Sequence, residues 1–448
     1  MRAALLRFDR GSLLVFGDVR VPYSSWDGRV RAFRAPAMYY REILDYLRFS
    51  SLPFRDEVQQ LLPCPVFGCC VELRDYQLDA LYAWEEAGRR GVIVLPTGAG
   101  KTAIAAKAIS IVNEPTLVVV PTLDLLEQWR WRLMEWLGVE VGAYGGGENT
   151  LKAVTVSTYD SAYLRAAELG NRFSLLVFDE VHHLPSEGYR QIAEMFTAPY
   201  RMGLTATYER EDMLHLDLPR LVGGVVYRLK PQDLAGRYLA EYEVQRVGLK
   251  LSEDERRVYE ENFRVYRDYL RSRGLRLSSH LDFQKLVAMS VRDRGARRAL
   301  LARNRALDVA FNSEAKLESL ERILRENPDE RILIFTQHNR LVHRISRRFL
   351  IPYITHRSSK EERREVLKGF REGRYRAIVT SKVLDEGVDV PEASIGVIVS
   401  GTGSSREFIQ RLGRLLRKRE GKRARLIELV SKATSEARVS WRRKRGLG

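Results

Sequence analysis

Lys101 and Thr102 close the run Leu95-Pro96-Thr97-Gly98-Ala99-Gly100, which has an apolar stretch before it and an apolar helical pattern after it. Two glycines in a strand-to-helix turn let backbone N–H groups wrap the oxygens of an anion, and a helix N-terminus adds the positive end of its dipole. An ammonium followed by a hydroxyl suits the β and γ phosphates of a nucleotide and a divalent cation, respectively. Leu95 stands where the general phosphate-loop pattern has its first glycine, so the Gly-Lys-Thr ending and its context carry the assignment. A second chemical feature ends another apolar run, Leu175-Leu-Val-Phe-Asp179-Glu180-Val181-His182-His183. Asp179, at a strand end, is placed to hold a cation, and Glu180 beside it to orient and deprotonate an attacking water. An isolated Asp-Glu pair is ordinarily a solvated loop; the apolar strand before it and the phosphate loop upstream reverse that reading.

The elements that must position these groups are legible as short apolar runs between helical stretches. Strands are expected at Gly91-Val-Ile-Val-Leu, Thr116-Leu-Val-Val-Val, Ala153-Val-Thr-Val, Ser174-Leu-Leu-Val-Phe and Tyr200-Arg-Met-Gly-Leu-Thr, with a helix from Thr102 through Ile111. Continuous apolar runs separated by helices predict a parallel sheet covered on both faces. Between about 250 and 312 the strands give way to a helical pattern dense in arginine, including Arg264, Arg267, Arg271, Arg297 and Arg298. Pairs such as Glu253 with Arg257 are expected within those helices. Strands resume at Arg331-Ile-Leu-Ile-Phe, Ala377-Ile-Val-Thr, Ile395-Gly-Val-Ile-Val and Ala424-Arg-Leu-Ile-Glu-Leu. Ahead of all this, residues 1–70 read as a small separate unit, with a strand from Leu13, an amphipathic helix from Tyr39 to Phe49 and a linker around Pro63, Pro65 and Gly68.

Composition narrows the partners. The 448 residues carry 75 Lys+Arg against 58 Asp+Glu, a formal charge of +17, with 45% hydrophobic residues. That apolar content excludes a disordered chain, and the length suits roughly three domains. No run of about 18 apolar residues occurs to predict a membrane span. Nucleic acid, an acidic protein or an anionic surface all fit the charge, which speaks to partners and not to fold. Cys64, Cys69 and Cys70 are the three cysteines; with no nearby histidine they complete no tetrahedral metal site and are expected to be buried thiols.

Taken together, these residues resemble the superfamily 2 helicases and, within them, the XPB branch, especially its short archaeal members. The resemblance runs from about Leu73 to Lys418 on motifs in fixed order. Arg74-Asp-Tyr-Gln77 is similar to the adenine-reading element, Asp179-Glu-Val-His182 to that branch's carboxylate box, and Leu204-Thr-Ala-Thr207 to the motif that couples nucleotide to strand. Arg210-Glu211-Asp212 resembles an element implicated in strand separation. Thr380, with Leu384-Asp-Glu-Gly387-Val-Asp389, resembles a motif touching both nucleotide and strand, and Gln410-Arg-Leu-Gly-Arg414-Leu-Leu-Arg417 the helix of arginine fingers.

The resemblance implies an α/β fold: two RecA-like parallel-sheet domains with a helical thumb insertion and a small N-terminal α+β domain. Its boundaries are 1–70 for the N-terminal domain with a damage-recognition role, 71–235 for the first RecA-like domain, 236–312 for the thumb and 313–448 for the second RecA-like domain. The cofactors implied are ATP and Mg²⁺. Arg74, Gln77, Pro96 through Thr102, Gly387, Asp389 and Gln410 would bind nucleotide, with Thr102 and Asp179 on the metal. Lys101, Asp179, Glu180, His182, Arg414 and Arg417 would carry catalysis, His182 as a relay between the γ phosphate and the coupling motif. Thr122, Thr158, Thr336, Thr380 and Arg210-Glu211-Asp212 are the candidate strand contacts. Arg210→Ala is then expected to spare ATPase and impair unwinding.

The activity so implied is ATP-dependent 3′-to-5′ DNA unwinding or translocation in nucleotide excision repair, on single-stranded or forked DNA without sequence preference. A nuclease or another repair protein is the expected partner, with a monomeric chain, no membrane association and a cytoplasmic, nucleoid-associated location. The competing readings are a duplex translocase, an RNA helicase, or a DNA-binding platform that ATP switches without turnover.

Overall fold

In the computed structural model, described for residues 3–210, 212–277, 280–381, 393–400 and 423–437, the chain divides into two units, Met1–Leu229 and Lys230–Gly448. The first unit contains an eight-stranded sheet. Its spatial order is Val225–Arg228, Arg90–Val94, Tyr200–Thr205, Leu175–Asp179, Thr116–Val120, Val154–Thr158, Val141–Gly145 and Glu148–Asn149. All neighbours are parallel except the last pair. The central strands Thr116–Val120, Val154–Thr158 and Leu175–Asp179 are buried along their whole length. That explains their unbroken apolar lettering, because helices cover both faces of the sheet.

The topology matters more than the strand count. From Arg90–Val94 the chain crosses to Thr116–Val120, leaving two positions between them that Leu175–Asp179 and Tyr200–Thr205 fill later. The loops after Arg90–Val94, Tyr200–Thr205 and Leu175–Asp179 therefore emerge from three adjacent strand ends, spaced by about 4.8 Å per strand. In open parallel sheets ligands bind at such carboxyl ends, where the strand order reverses.

The N-terminal residues build a second sheet in the same unit, ordered Ser25–Asp27, Ala32–Pro36, Ser12–Phe16, Ala4–Asp9 and Phe54–Glu57. The helix Tyr40–Phe49 buries Tyr40, Ile43, Leu44 and Leu47 on one stripe against Leu6, Leu13 and Val15. This sheet has its own core, yet it is docked rather than separate. Glu42 pairs with Arg90 at 2.5 Å, Arg41 donates to the Gly88 carbonyl at 2.7 Å, and Asn171 donates to the Val58 carbonyl at 2.9 Å. Met38 joins the hydrophobic cluster of Ile192, Phe196 and Leu218. Residues of the expected linker run along the domain surface, where Asn113 accepts from the Phe67 N–H and the Trp136 carbonyl from the Cys70 N–H. The cysteines correct the expectation of buried thiols: Cys64 and Cys69 are half-buried and Cys70 is exposed, because a connection carrying unpaired backbone stays at the surface.

The second unit holds a six-stranded, all-parallel sheet ordered Glu241–Leu249, Arg423–Ser431, Ile395–Ile398, Ile332–Phe335, Ala377–Thr380 and Tyr353–Ile354. Glu241–Leu249 falls inside the span read from sequence as a helical insertion, but it pairs along its whole length with Arg423–Ser431. It is an edge strand with alternating polar residues, so it lacks the apolar run that marks a central strand. The helices proper are Glu253–Ser272, His280–Met289 and Arg294–Phe311. Within the first of them Arg257 pairs with Asp254 at 3.0 Å, not with Glu253. The helix Glu314–Glu326 is anchored by Lys316, whose buried ammonium lies 2.7 Å from Glu436 and donates to the Val399 carbonyl at 2.7 Å.

Candidate active site

The phosphate loop spans the turn between Arg90–Val94 and the helix Lys101–Val112. Gly98 and Gly100 both sit at positive φ, 86° and 74°, a conformation glycine reaches without Cβ strain. A Cβ at Gly100 would also lie 2.5 Å from Gln77 Nε2. Two residues ahead of the loop brace it: Tyr76 Oη donates to the Ala99 carbonyl at 2.9 Å, and Gln77 Nε2 donates to the same oxygen at 2.8 Å. Gln77 Oε1 accepts from the Arg74 N–H at 2.9 Å. The Gln77 carboxamide therefore joins the loop, through Nε2, to the start of its own helix, through Oε1. Lys101 Nζ folds back onto the carbonyls of Leu95 and Pro96 at 3.1 and 3.5 Å. Thr97 Oγ1 is buried and has no hydrogen-bond partner, an unmet polar demand that a phosphate oxygen would satisfy.

One strand position further, Thr205 links the pieces. It ends its own strand, and its Oγ1 donates to the Thr207 carbonyl at 2.8 Å and accepts from the Thr207 N–H at 3.1 Å. The same oxygen lies 3.0 Å from His182 Nδ1 and 3.4 Å from Glu180 Oε2. The Leu95 N–H donates to the Thr205 carbonyl at 3.0 Å, so the coupling motif touches the phosphate loop through backbone and the carboxylate box through side chain.

Asp179 ends the next strand. Its Oδ1 accepts from the Glu180 N–H at 3.0 Å and its Oδ2 from the Trp129 indole at 2.8 Å. Burial, and the Glu180 charge beside it, push the Asp179 carboxyl up to about 6, against the opposing pull of Lys101 and Trp129. Glu180 occupies the left-handed region at φ 46°, an unusual conformation for a non-glycine residue that the packed surroundings impose. His182 is fully buried and lies 3.3 Å from Glu180 Oε2. Tyr159 Oη donates to the Asp179 carbonyl at 3.0 Å.

The structure thus brings together Lys101, Asp179, Glu180 and His182, with Thr102 next to Lys101 in the helix Lys101–Val112, and adds Tyr76, Trp129, Tyr159 and Thr205. Thr205 and Tyr76 were legible within their motifs; nothing in the lettering of Trp129 and Tyr159 marks a need for their polar atoms. Among the described residues no three His, Cys, Asp or Glu side chains gather into a cation cage. The oxygens of Thr102 and Asp179 suit a cation whose other ligands come from phosphate and water, as Mg²⁺ sites ordinarily do.

The candidate strand contacts fare differently. Thr122 and Thr158 cap the helices that follow them, accepting from the N–H of Leu125 and Ser161 at 3.3 Å each. Thr336 donates to the His338 carbonyl at 3.1 Å and Thr380 to the Ser381 carbonyl at 2.9 Å, and both are fully buried. In this conformation the four hydroxyls serve local turns, because a threonine at a strand end satisfies the next turn's backbone first. Arg210 is also committed: it forms a two-pronged pair with Asp212 at 2.9 and 2.6 Å and donates to the His182 carbonyl. Its guanidinium holds the Asp212 carboxyl down to about 2. Glu211, Gly387, Asp389, Gln410, Arg414 and Arg417 lie outside the described residues.

Residues 6–58 match the xeroderma pigmentosum group B helicase damage recognition domain, residues 70–210 the type III restriction enzyme res subunit, and residues 315–419 the helicase conserved C-terminal domain. Over 439 residues the chain is 47% identical to "DNA 3'-5' translocase XPB2" of Sulfurisphaera tokodaii, covering 98% of this chain and 99% of that one. The chain belongs to the XPB family. Among other XPB relatives, "DNA 3'-5' helicase XPB" of Mycobacterium tuberculosis is 29% identical over 84% of this chain, which spans 64% of that longer protein. A crystal structure of the Pyrococcus furiosus Hef helicase domain shares the fold, with a TM-score of 0.56 at 20% identity over 82% of this chain and 97% of that one. No helix among the described residues is long and apolar enough to cross a membrane.

Proposed function

We propose that this XPB-family chain is an ATP-dependent DNA helicase and translocase that moves 3′ to 5′. The observation that carries the proposal is the convergence of phosphate loop, Thr205 and the Asp179-Glu180 pair on three adjacent strand ends. Near-complete coverage of a relative named a DNA 3'-5' translocase supports the direction and the substrate. In this reading the Thr97 hydroxyl and the N–H groups of the loop bind the phosphates, and Lys101 leaves the Leu95 and Pro96 carbonyls to meet them. Thr102 and Asp179 would hold Mg²⁺, which when bound neutralises charge on the phosphate oxygens. Glu180 orients a water and accepts its proton at a carboxylate oxygen, and Thr205 and His182 report the state of that carboxylate to the Arg210 segment.

Arg414 and Arg417 would complete the site by neutralising the transferring phosphoryl group, a role worth roughly 10³ to 10⁵ in rate in related systems. The arginine-dense helices Glu253–Ser272 and Arg294–Phe311 would grip the phosphate backbone without reading sequence. A role in excision repair, a nuclease or repair partner and a cytoplasmic, nucleoid-associated location belong to the same reading and rest on the XPB resemblance. The name of the relative at 47% identity, a translocase, favours one second reading, motion along duplex DNA without strand release.

The test is ATP turnover with and without DNA in wild type and Glu180→Gln, beside release of a labelled strand from a fork. Glu180→Gln should lower turnover by about 10² or more while nucleotide binding persists. Equal rates would sink the motor reading, and DNA-stimulated turnover with no strand release at any protein concentration would select the duplex translocase.

A further inference from the structure

The helix Leu123–Leu137 buries Leu126, Trp129, Leu133 and Leu137 on one stripe, while Trp131 stands 63% exposed on another face. Leucines at the other three stripe positions show what packing alone asks for there. At Trp129 the buried side chain carries one polar atom, and its indole N–H donates to Asp179 Oδ2 at 2.8 Å. The other carboxylate oxygen accepts from the Glu180 N–H at 3.0 Å. Asp179 is therefore held between two donors on different elements, its own turn and the helix across from it. An aspartate with free χ1 and χ2 would lose rotamer freedom on binding a cation; one fixed beforehand has already lost it.

We infer that Trp129 is a positioning residue for the nucleotide-borne cation: its indole N–H fixes the Asp179 carboxylate for Mg²⁺. The inference rests on the reading of Asp179 as the metal carboxylate. It places the demand on the donor atom and not on the ring's bulk. It also ties the metal site to a helix whose first turn is capped by Thr122, so a shift of that helix reaches the carboxylate directly.

The test measures affinity of the full chain for a fluorescent non-hydrolysable ATP analogue over a Mg²⁺ titration. Wild type, Trp129→Phe, Leu133→Ala and Asp179→Asn are compared. Asp179→Asn should lose the Mg²⁺ enhancement of binding. Trp129→Phe should need roughly 10-fold or more Mg²⁺ for half-maximal enhancement, with metal-free affinity unchanged. Leu133→Ala, which disturbs the same stripe without touching the carboxylate, should keep the wild-type Mg²⁺ requirement.

A wild-type Mg²⁺ requirement in Trp129→Phe, where Asp179→Asn has lost the enhancement, overturns the inference and leaves the site reading standing. Full Mg²⁺ enhancement in Asp179→Asn removes Asp179 from the cation and takes the inference with it. Should Trp129→Phe fail to fold, the indole N–H signals of the six tryptophans in wild type carry the test. One signal should move on addition of Mg²⁺-nucleotide, and the same one should be displaced in Asp179→Asn; no signal common to both changes overturns the proposal.

Discussion

Asp179 illustrates how a reactive residue is kept at a cost to stability. Burial first and the Glu180 charge second push its carboxyl up to about 6 in the folded chain, above the ordinary aspartate value, so between those pH values the folded state binds more protons than the unfolded one. Stability then falls as pH rises through that window, and the burial penalty is present in full above it. Replacing Asp179 by Asn removes that penalty but leaves the Glu180 N–H facing an amide. The difference in melting temperature, Asp179→Asn minus wild type in nucleotide-free protein, should therefore be larger at pH 7.5 than at pH 4.5. A difference independent of pH would show that Asp179 does not titrate upward on folding.

At the scale of elements, the segment after Tyr200–Thr205 is fastened to the carboxylate box rather than standing clear of it. Arg210 reaches both Asp212 and the His182 carbonyl, and the Arg210 N–H donates to His215 Nδ1 at 3.1 Å. This revises the expectation that Arg210→Ala spares ATPase. Loss of these charge-assisted bonds should weaken the segment by roughly 1–3 kcal/mol and speed amide exchange at Leu214 and His215. ATPase and unwinding should decline together. Intact DNA-stimulated ATPase with lost unwinding would return Arg210 to direct work on the strand. Arg210→Lys should not rescue, since an ammonium cannot make the two-pronged contact.

At the scale of the whole molecule, the charge of +17 divides by task. Lys101 belongs to the phosphate loop, whereas the arginines of Arg294–Phe311, which share that helix with a single acidic residue, Asp308, have no such chemistry to perform. DNA affinity should fall steeply with salt, the slope of log affinity against log salt being about 0.7 per phosphate contacted on single strands. Lys101→Ala should leave that slope unchanged while abolishing turnover, as read by fluorescence anisotropy across 50 to 200 mM salt. A slope near zero would mean that the arginines of Glu253–Ser272 and Arg294–Phe311 do not grip a phosphate backbone. The N-terminal sheet enters at this scale too: the Glu42–Arg90 pair and Met38 fix it to the ATP-binding sheet, so it travels with that sheet as one unit.

The apolar runs at Thr116–Val120 and Leu175–Asp179, the Gly98–Thr102 loop and the Asp179-Glu180 pair were all legible in order, because strand burial and phosphate chemistry are written in contiguous residues. Glu241–Leu249 was not, since an edge strand alternates in polarity and its partner lies 174 or more residues away, at Arg423–Ser431. The same limit hid the local tasks of Thr122, Thr336 and Thr380, whose types fit a strand contact and a cap equally well. By itself the sequence determined which groups are present, Lys101, Thr102, Asp179 and Glu180, and the period of the elements carrying them. Only the tertiary structure decided that Tyr200–Thr205 lies between the other two strand ends, and that the polar atom of Trp129 meets Asp179. Hydrogen bonds across 50 residues depend on strand order and helix rotation, and neither is encoded in any local run.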